Sequence, residues 1–149
     1  MKNWERISKY TTVASDERLN WVQPEFDEIG MTQWGWRVSH RKKFRLGKNV
    51  EIGSFTMIDA REGVEIEDDV KIGFGCIILS YSSIDKKSGL VILKRGCKIG
   101  ANSVVMPNTQ IGEYAVIGAN SFVNRDVPQK EIWIGSPARF YKKLEDDIE

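Results

Sequence analysis

Histidine and cysteine are scarce: one His and two Cys among 149 residues. That stock excludes a His-rich zinc site, and no metal is expected. Cys76 and Cys97 stand far apart without metal-ligand neighbours or a basic partner, so both read as packed thiols. Neither sign of charge is in excess: 22 Lys and Arg face 21 Asp and Glu, a net charge of +1. This balance excludes bulk attraction to nucleic acid or anionic lipid. No apolar run approaches the roughly 20 residues of a membrane span. Positions 1–18 also lack the apolar centre of a secretory signal, so a cytoplasmic protein is the expectation. The apolar share, 41% with 10% aromatic, is enough for one folded domain.

The chain repeats. An aliphatic residue returns every six positions at Leu46, Ile52 and Ile58, and after a step of eight at Ile66, Ile72 and Ile78. The register breaks over 79–92, then resumes at Leu93, Ile99, Val105, Ile111, Ile117 and Val123. Gly often follows the aliphatic residue, as at 47, 53, 73, 100, 112 and 118. Four places after it stands a small or compact residue, such as Thr56, Cys76, Cys97, Ser103, Ala115 or Ser121. A period of six is neither helical nor plain alternation. It predicts short strands joined by sharp turns, three to a triangular coil, with the aliphatic side chain inside. Stacked at about 4.8 Å, such coils pair their backbone groups level to level. The sequence is that of a hexapeptide parallel β-helix; the period alone leaves its hand open.

Three regions flank or interrupt the coils. Positions 1–45 lack the repeat, carry Trp4, Trp21, Trp34 and Trp36, and are expected to cap an open end of the stack. The β-helix is expected over 46–128, with 79–92 a loop thrown out from one corner. Over 129–149 a strand and a helix are expected, Ser136 capping the helix and Pro137 in its first turn.

The segment IGANSVVMPNTQIGEYAVIGANSFVNRDVPQKEIWIGSPARFYKKL resembles the C-terminal half of hexapeptide acyltransferases of the maltose, galactoside and serine acetyltransferase type. Pro107, Ile117–Gly118–Ala119, Ser121, Arg125–Asp126–Val127–Pro128 and Gly135–Ser136–Pro137–Ala138–Arg139 carry the likeness. The resemblance implies a left-handed helix and a homotrimer with active sites in the clefts between subunits. It also implies acetyl-CoA as co-substrate and a small sugar-type acceptor. Carried over by position, backbone groups near Ala101 and Ala119 would bond the pantetheine amides. Arg125, Arg139 and Lys142 would meet the CoA phosphates, as guanidinium and ammonium groups do. A solvated surface is the other reading of these three.

The departure from the family pattern concerns the base. Members acting on hydroxyls generally place His just before the extended loop, where this chain has Tyr81 and Ser83. A hydroxyl needs a positioned base, an effect of about 10²–10⁴-fold, and tyrosine is a poor one at neutral pH. An amine acceptor needs no strong base, so N-acylation of an amino sugar is favoured. Under that reading Asp59, in the eight-residue step, orients the acceptor; otherwise it stabilises a turn. Alternatively, His40 serves a hydroxyl acceptor, or Tyr81 or a carboxylate does. His40 also belongs to a basic run with Arg41, Lys42, Lys43 and Arg45 that could hold a phosphate of a nucleotide-linked sugar. Against an enzyme stands a binding or scaffold role that keeps the coils and loses the chemistry. A carbonic anhydrase of this fold would need more His than the chain has.

Overall fold

The computed structural model describes residues 20–145. Five coils are built from short strands in three parallel sheets, each coil contributing one strand to each sheet except the fifth, which meets sheet II only through the isolated Ile111–Val127 bridge. Sheet I holds β1 (Arg37–Ser39), β4 (Met57–Asp59), β7 (Ile77–Leu79), β12 (Val104–Val105) and β15 (Phe122–Val123). Sheet II holds β2 (Phe44–Leu46), β5 (Val64–Ile66), β10 (Val91–Leu93) and β13 (Gln110–Ile111). Sheet III holds β3 (Glu51–Ile52), β6 (Lys71–Ile72), β11 (Lys98–Ile99), β14 (Val116–Ile117) and β16 (Glu131–Gly135). It ends on β17 (Ala138–Lys143), antiparallel to β16.

The six-step residues fill the prism: Ile58, Ile78, Leu93, Val105, Ile111, Ile117 and Val123 are buried, each worth about 1.5–3 kcal/mol against exposure. The small residues four places on are buried too, and their chemistry has a reason. At the corner between sheets III and I, Thr56 Oγ1 donates to Gly73 O at 2.9 Å. Cys76 Sγ donates to Gly100 O at 3.3 Å and Ser103 Oγ to Gly118 O at 3.1 Å. Short donors at this level satisfy corner carbonyls that the strands leave over. Gly100 is required by close approach, since a Cβ there would lie 2.4 Å from the Ala119 nitrogen. Positive φ falls instead three places after the aliphatic residue, on Asn49, Phe55, Asp69, Asn102, Asn108, Tyr114 and Asn120. Asn tolerates that region best.

The first coil begins at β1, ahead of Leu46, so the cap is shorter than 1–45. The repeat is hidden there because the turn His40–Lys43 lengthens the step between Val38 and Leu46. The cap covers the free edge of β1: Met31 bridges Arg37 antiparallel, and Val38 N–H donates to Gly30 O at 2.9 Å. Gly30 has φ 82°, and a Cβ would overlap the Val38 carbonyl oxygen. Phe26, Trp36 and Phe44 close the end of the core edge to face, with ring centroids 5.7–6.4 Å apart. Trp21 donates its indole N–H to Val50 O, and Trp34 is partly exposed. Trp4 lies outside the described residues.

The expected C-terminal helix is replaced by a strand. Ser136 and Pro137 turn the chain back, and β17 pairs with β16 from Ala138 to Lys143. A free edge on sheet III attracts a partner more strongly than local helix signals hold the segment helical. The segment between β7 and β10 leaves at the corner between sheets I and II. It is a hairpin of β8 (Tyr81–Ser82) and β9 (Lys87–Ser88).

Candidate active site

The corner between sheets I and II is where the regular step fails, coil after coil. Coil one inserts the 3₁₀ turn Arg41–Lys43 after His40, coil two the turn around Arg61 and Glu62, coil three the hairpin. Register stacks Ser39, Asp59 and Leu79 at the end of sheet I, so the three insertions rise from adjacent levels.

That stacking brings together two candidates that lie in different repeats. His40 Nδ1 and Asp59 Oδ1 are 3.7 Å apart, a distance for an ion pair with a protonated imidazole rather than a hydrogen bond. His40 sits at φ 59° and is half exposed; Asp59 is less so. Asp59 does stabilise its turn, since Arg61 N–H donates to Oδ1 at 2.9 Å. Among the described residues its Oδ2 takes no hydrogen bond. Its main chain is fixed by buried Ser80, whose N–H and Oγ donate to Asp59 O at 3.0 and 2.7 Å. Ser80 Oγ in turn accepts from Glu62 N–H at 2.9 Å. Tyr81 joins the same corner with the Arg61 guanidinium 4.5 Å above its ring. Ser83 is exposed in the hairpin turn and bonds to none of these groups.

His40, Arg41, Lys42, Lys43 and Arg61 line an open hollow of about 660 Å³ beside the pair. Sequence reasoning singled out His40 and Asp59 but missed Arg61 and Ser80. The available signal was their place, in the eight-residue step and at the start of the break in period.

The candidates for the donor lie elsewhere. Ala101 and Ala119 are exposed on adjacent coils at the corner between sheets III and I, across sheet I from His40 and Asp59. Ala101 O is already used by Asn120 N–H at 2.8 Å. Arg125 is exposed at the corner of sheets I and II, three coils beyond Asp59 and roughly 15 Å away at ordinary strand spacing. Arg139 and Lys142 are exposed on β17, and Arg139 Nη1 donates to Ala138 O at 2.7 Å. One chain therefore does not gather donor and acceptor candidates into a single pocket. A groove of about 590 Å³ runs along sheet III, lined by Trp34, Lys71, Phe74 and Lys98 among others.

The thiols are inert by position. Burial, and secondarily the negative charge of Glu67, pushes the Cys97 thiol up to about 12. Burial also raises Cys76 against opposing backbone hydrogen bonds. Among the described residues no three His, Cys, Asp or Glu side chains form a metal-binding group. No described helix is long and apolar enough to cross a membrane.

Two family models match the coils: "Bacterial transferase hexapeptide (six repeats)" over 91–125 and "Hexapeptide repeat of succinyl-transferase" over 44–80. YvoF of Bacillus subtilis (strain 168), a protein named as an acetyltransferase, is 31% identical over 122 residues, 78% of this chain and 70% of the relative. The dTDP-3-amino-3,6-dideoxy-alpha-D-galactopyranose 3-N-acetyltransferase of Aneurinibacillus thermoaerophilus is 51% identical over 51 residues. That match spans 34% of this chain and 27% of the relative. A hexapeptide-repeat acetyltransferase of Vibrio cholerae O1 biovar eltor, solved with acetyl coenzyme A, superposes with a TM-score of 0.70 at 28% identity. It covers 74% of this chain and 66% of that one. A variant of the N-acyltransferase AntD of Bacillus cereus, solved with dTDP-4-amino-4,6-dideoxyglucose and coenzyme A, gives 0.52 at 29%, covering 74% and 71%. The shared fold is the left-handed parallel β-helix. With the hexapeptide rhythm, the coils and these relatives in agreement, the chain belongs to the hexapeptide-repeat acyltransferase family.

Proposed function

We propose that the protein transfers an acetyl group from acetyl-CoA to the amino group of a nucleotide-linked amino sugar. The observation that carries this reading is the corner of Asp59, His40 and Arg61, which offers a carboxylate and a weak base without the paired histidines a hydroxyl would call for. The free amine attacks the thioester carbonyl, the C–N bond forms, and the C–S bond breaks to release the CoA thiol. Asp59 holds the acceptor through Oδ2, and the proton shed by the new amide nitrogen passes to the His40–Asp59 pair or to the leaving thiolate. The amino-sugar N-acetyltransferase among the relatives, and the neighbour bound to an amino sugar and coenzyme A, support this choice.

The division of the candidates between two corners supports a homotrimer. After Arg37 in the first coil the outward row of sheet I is apolar, Met57, Ile77, Val104 and Phe122 in register, whereas sheet II presents Arg45, Glu65, Ile92 and Gln110. Sheet III presents Glu51, Lys71 and Lys98 in its first three levels and Val116 and Ile132 in the last two. Packing sheet I against a neighbour removes the apolar row from water. It also sets the Ala101–Ala119 edge of one copy beside the Asp59 edge of the next. Coenzyme A then runs along that cleft toward Arg125, Arg139 and Lys142. The reading is tested by incubating the protein with acetyl-CoA and a panel of nucleotide-linked amino sugars, following thiol release. Release that depends on an amine is expected; acetyl-CoA binding without release on any acceptor supports the scaffold role instead.

A further inference from the structure

We infer that the hollow lined by His40, Arg41, Lys42, Lys43 and Arg61 is a diphosphate site, which holds the nucleoside diphosphate portion of the acceptor. The inference deepens the amino-sugar reading and rests on it. Four fixed cations converge there from two coils, yet none of Arg41, Lys42, Lys43 or Arg61 appears in an ion pair among the described residues. Ion pairs form elsewhere, Lys71 with Glu51 and Arg95 with Asp69, but among the described residues Arg45, Lys48 and Lys98 are in none either, so what distinguishes this corner is four cations lining one hollow. Four cations gathered on one hollow in a chain of net charge +1 suit an anion that arrives from outside.

The two arginines are also held in place by apolar contacts. The Arg41 guanidinium lies 4.4 Å from the centre of the Phe26 ring, and that of Arg61 lies 4.5 Å from the centre of the Tyr81 ring. A guanidinium resting on a ring face keeps its edge donors free, and planar donors of this kind match phosphate oxygens two at a time. Phe26 comes from the cap and Tyr81 from the hairpin, so two irregular segments each steady one arginine. The hollow's size suits one small ligand rather than a nucleic acid or a membrane surface. Carboxylates set the orientation. Asp59 faces His40 at the edge of the hollow, so the phosphates lie on the arginine and lysine side and the sugar points toward Asp59. Coenzyme A also carries a diphosphate, but its candidate partners Arg125, Arg139 and Lys142 lie coils away.

The test is calorimetric titration of the intact protein, without acetyl-CoA, using inorganic pyrophosphate, dTDP, UDP and CoA as separate probes. Wild type is expected to bind dTDP or UDP, and pyrophosphate to compete. Arg61→Gln and, independently, Lys42→Gln with Lys43→Gln are each expected to weaken that affinity by about tenfold or more, as loss of charge-assisted contacts does. CoA affinity is expected to stay within about threefold. Circular dichroism melting confirms that both variants remain folded. Failure of wild type to bind any of the diphosphate probes overturns the assignment. So does nucleotide affinity unchanged in both variants, or a loss that falls equally on CoA. Nucleotide binding that depends on these cations, in a protein that acylates no amine, keeps the site and removes the amino-sugar reading. Acylation of amines without nucleotide binding does the reverse.

Discussion

Two corners of one prism are built from the same repeat and differ in almost everything else. Between sheets III and I, the turns are short and tied inward by Thr56, Cys76 and Ser103, each reaching the carbonyl of a Gly in the next coil. Between sheets I and II, each of the first three coils adds residues, and the additions bring in His40, Arg41, Lys43, Arg61 and Tyr81. Regularity at the first corner leaves little room for side-chain chemistry but much backbone surface for an extended arm. Irregularity at the second gives up the interlocked turn and gains a charged hollow. The prism is thus divided between a rigid scaffold and functional insertions at one edge.

The sharpest way to break the comparison is to damage the regular corner. Gly100→Val is expected to cost about 3 kcal/mol or more, since its Cβ meets the Ala119 backbone. Thermal unfolding reads that loss. An insertion-corner substitution such as Arg61→Gln is expected to leave the melting temperature almost unchanged, as exposed side chains usually do. Asp59→Asn, by contrast, is expected to lower kcat on an amino-sugar acceptor by about 10²-fold, within the range of positioned acid–base groups. His40→Ala on the same acceptor is expected to cost less than tenfold. A loss as large as that of Asp59→Asn would make His40 the base and favour hydroxyl acceptors. Arg139→Ala is expected to weaken acetyl-CoA binding by about tenfold with the molar mass by light scattering unchanged.

The smallest expected effect concerns the thiols. Cys76 and Cys97 are expected to resist alkylation at neutral pH until the protein unfolds. Because the folded-state value of Cys97 is raised to about 12, the stability tied to its neutral form is complete below the unfolded thiol's value, about 8.5. It is lost as pH rises through about 12, so Cys97→Ala is expected to flatten the alkaline decline of the melting temperature.

The interior was legible in the sequence because a period of six fixes which side chains point inward, and Leu93 to Val123 keep it without a fault. The position of positive φ was less legible. It falls on Asn102 and Asn120 but also on Phe55 and Tyr114, where coil stacking overrides residue preference. The first coil was hidden because its turn carries extra residues, and the C-terminal strand because Ser136–Pro137 imitates a helix start until the open edge of sheet III is considered. At the site, His40 and Asp59 stood out singly. Their meeting depends on the pairing of β1 with β4, which no local pattern announces. Arg61 had no motif, and only its place in the eight-residue step set it apart.

In the proposed reaction the insertion corner presents an amine to a thioester held along the neighbouring edge. The most direct measurement compares a matched pair of acceptors, a dTDP-linked amino sugar and the same sugar nucleotide with a hydroxyl in place of the amine, with acetyl-CoA and mass spectrometry of the products. The expected result is a gain of one acetyl group on the amino compound alone, lost with Asp59→Asn. Acetylation of the hydroxyl compound at an equal or greater rate, or of neither, would contradict the account.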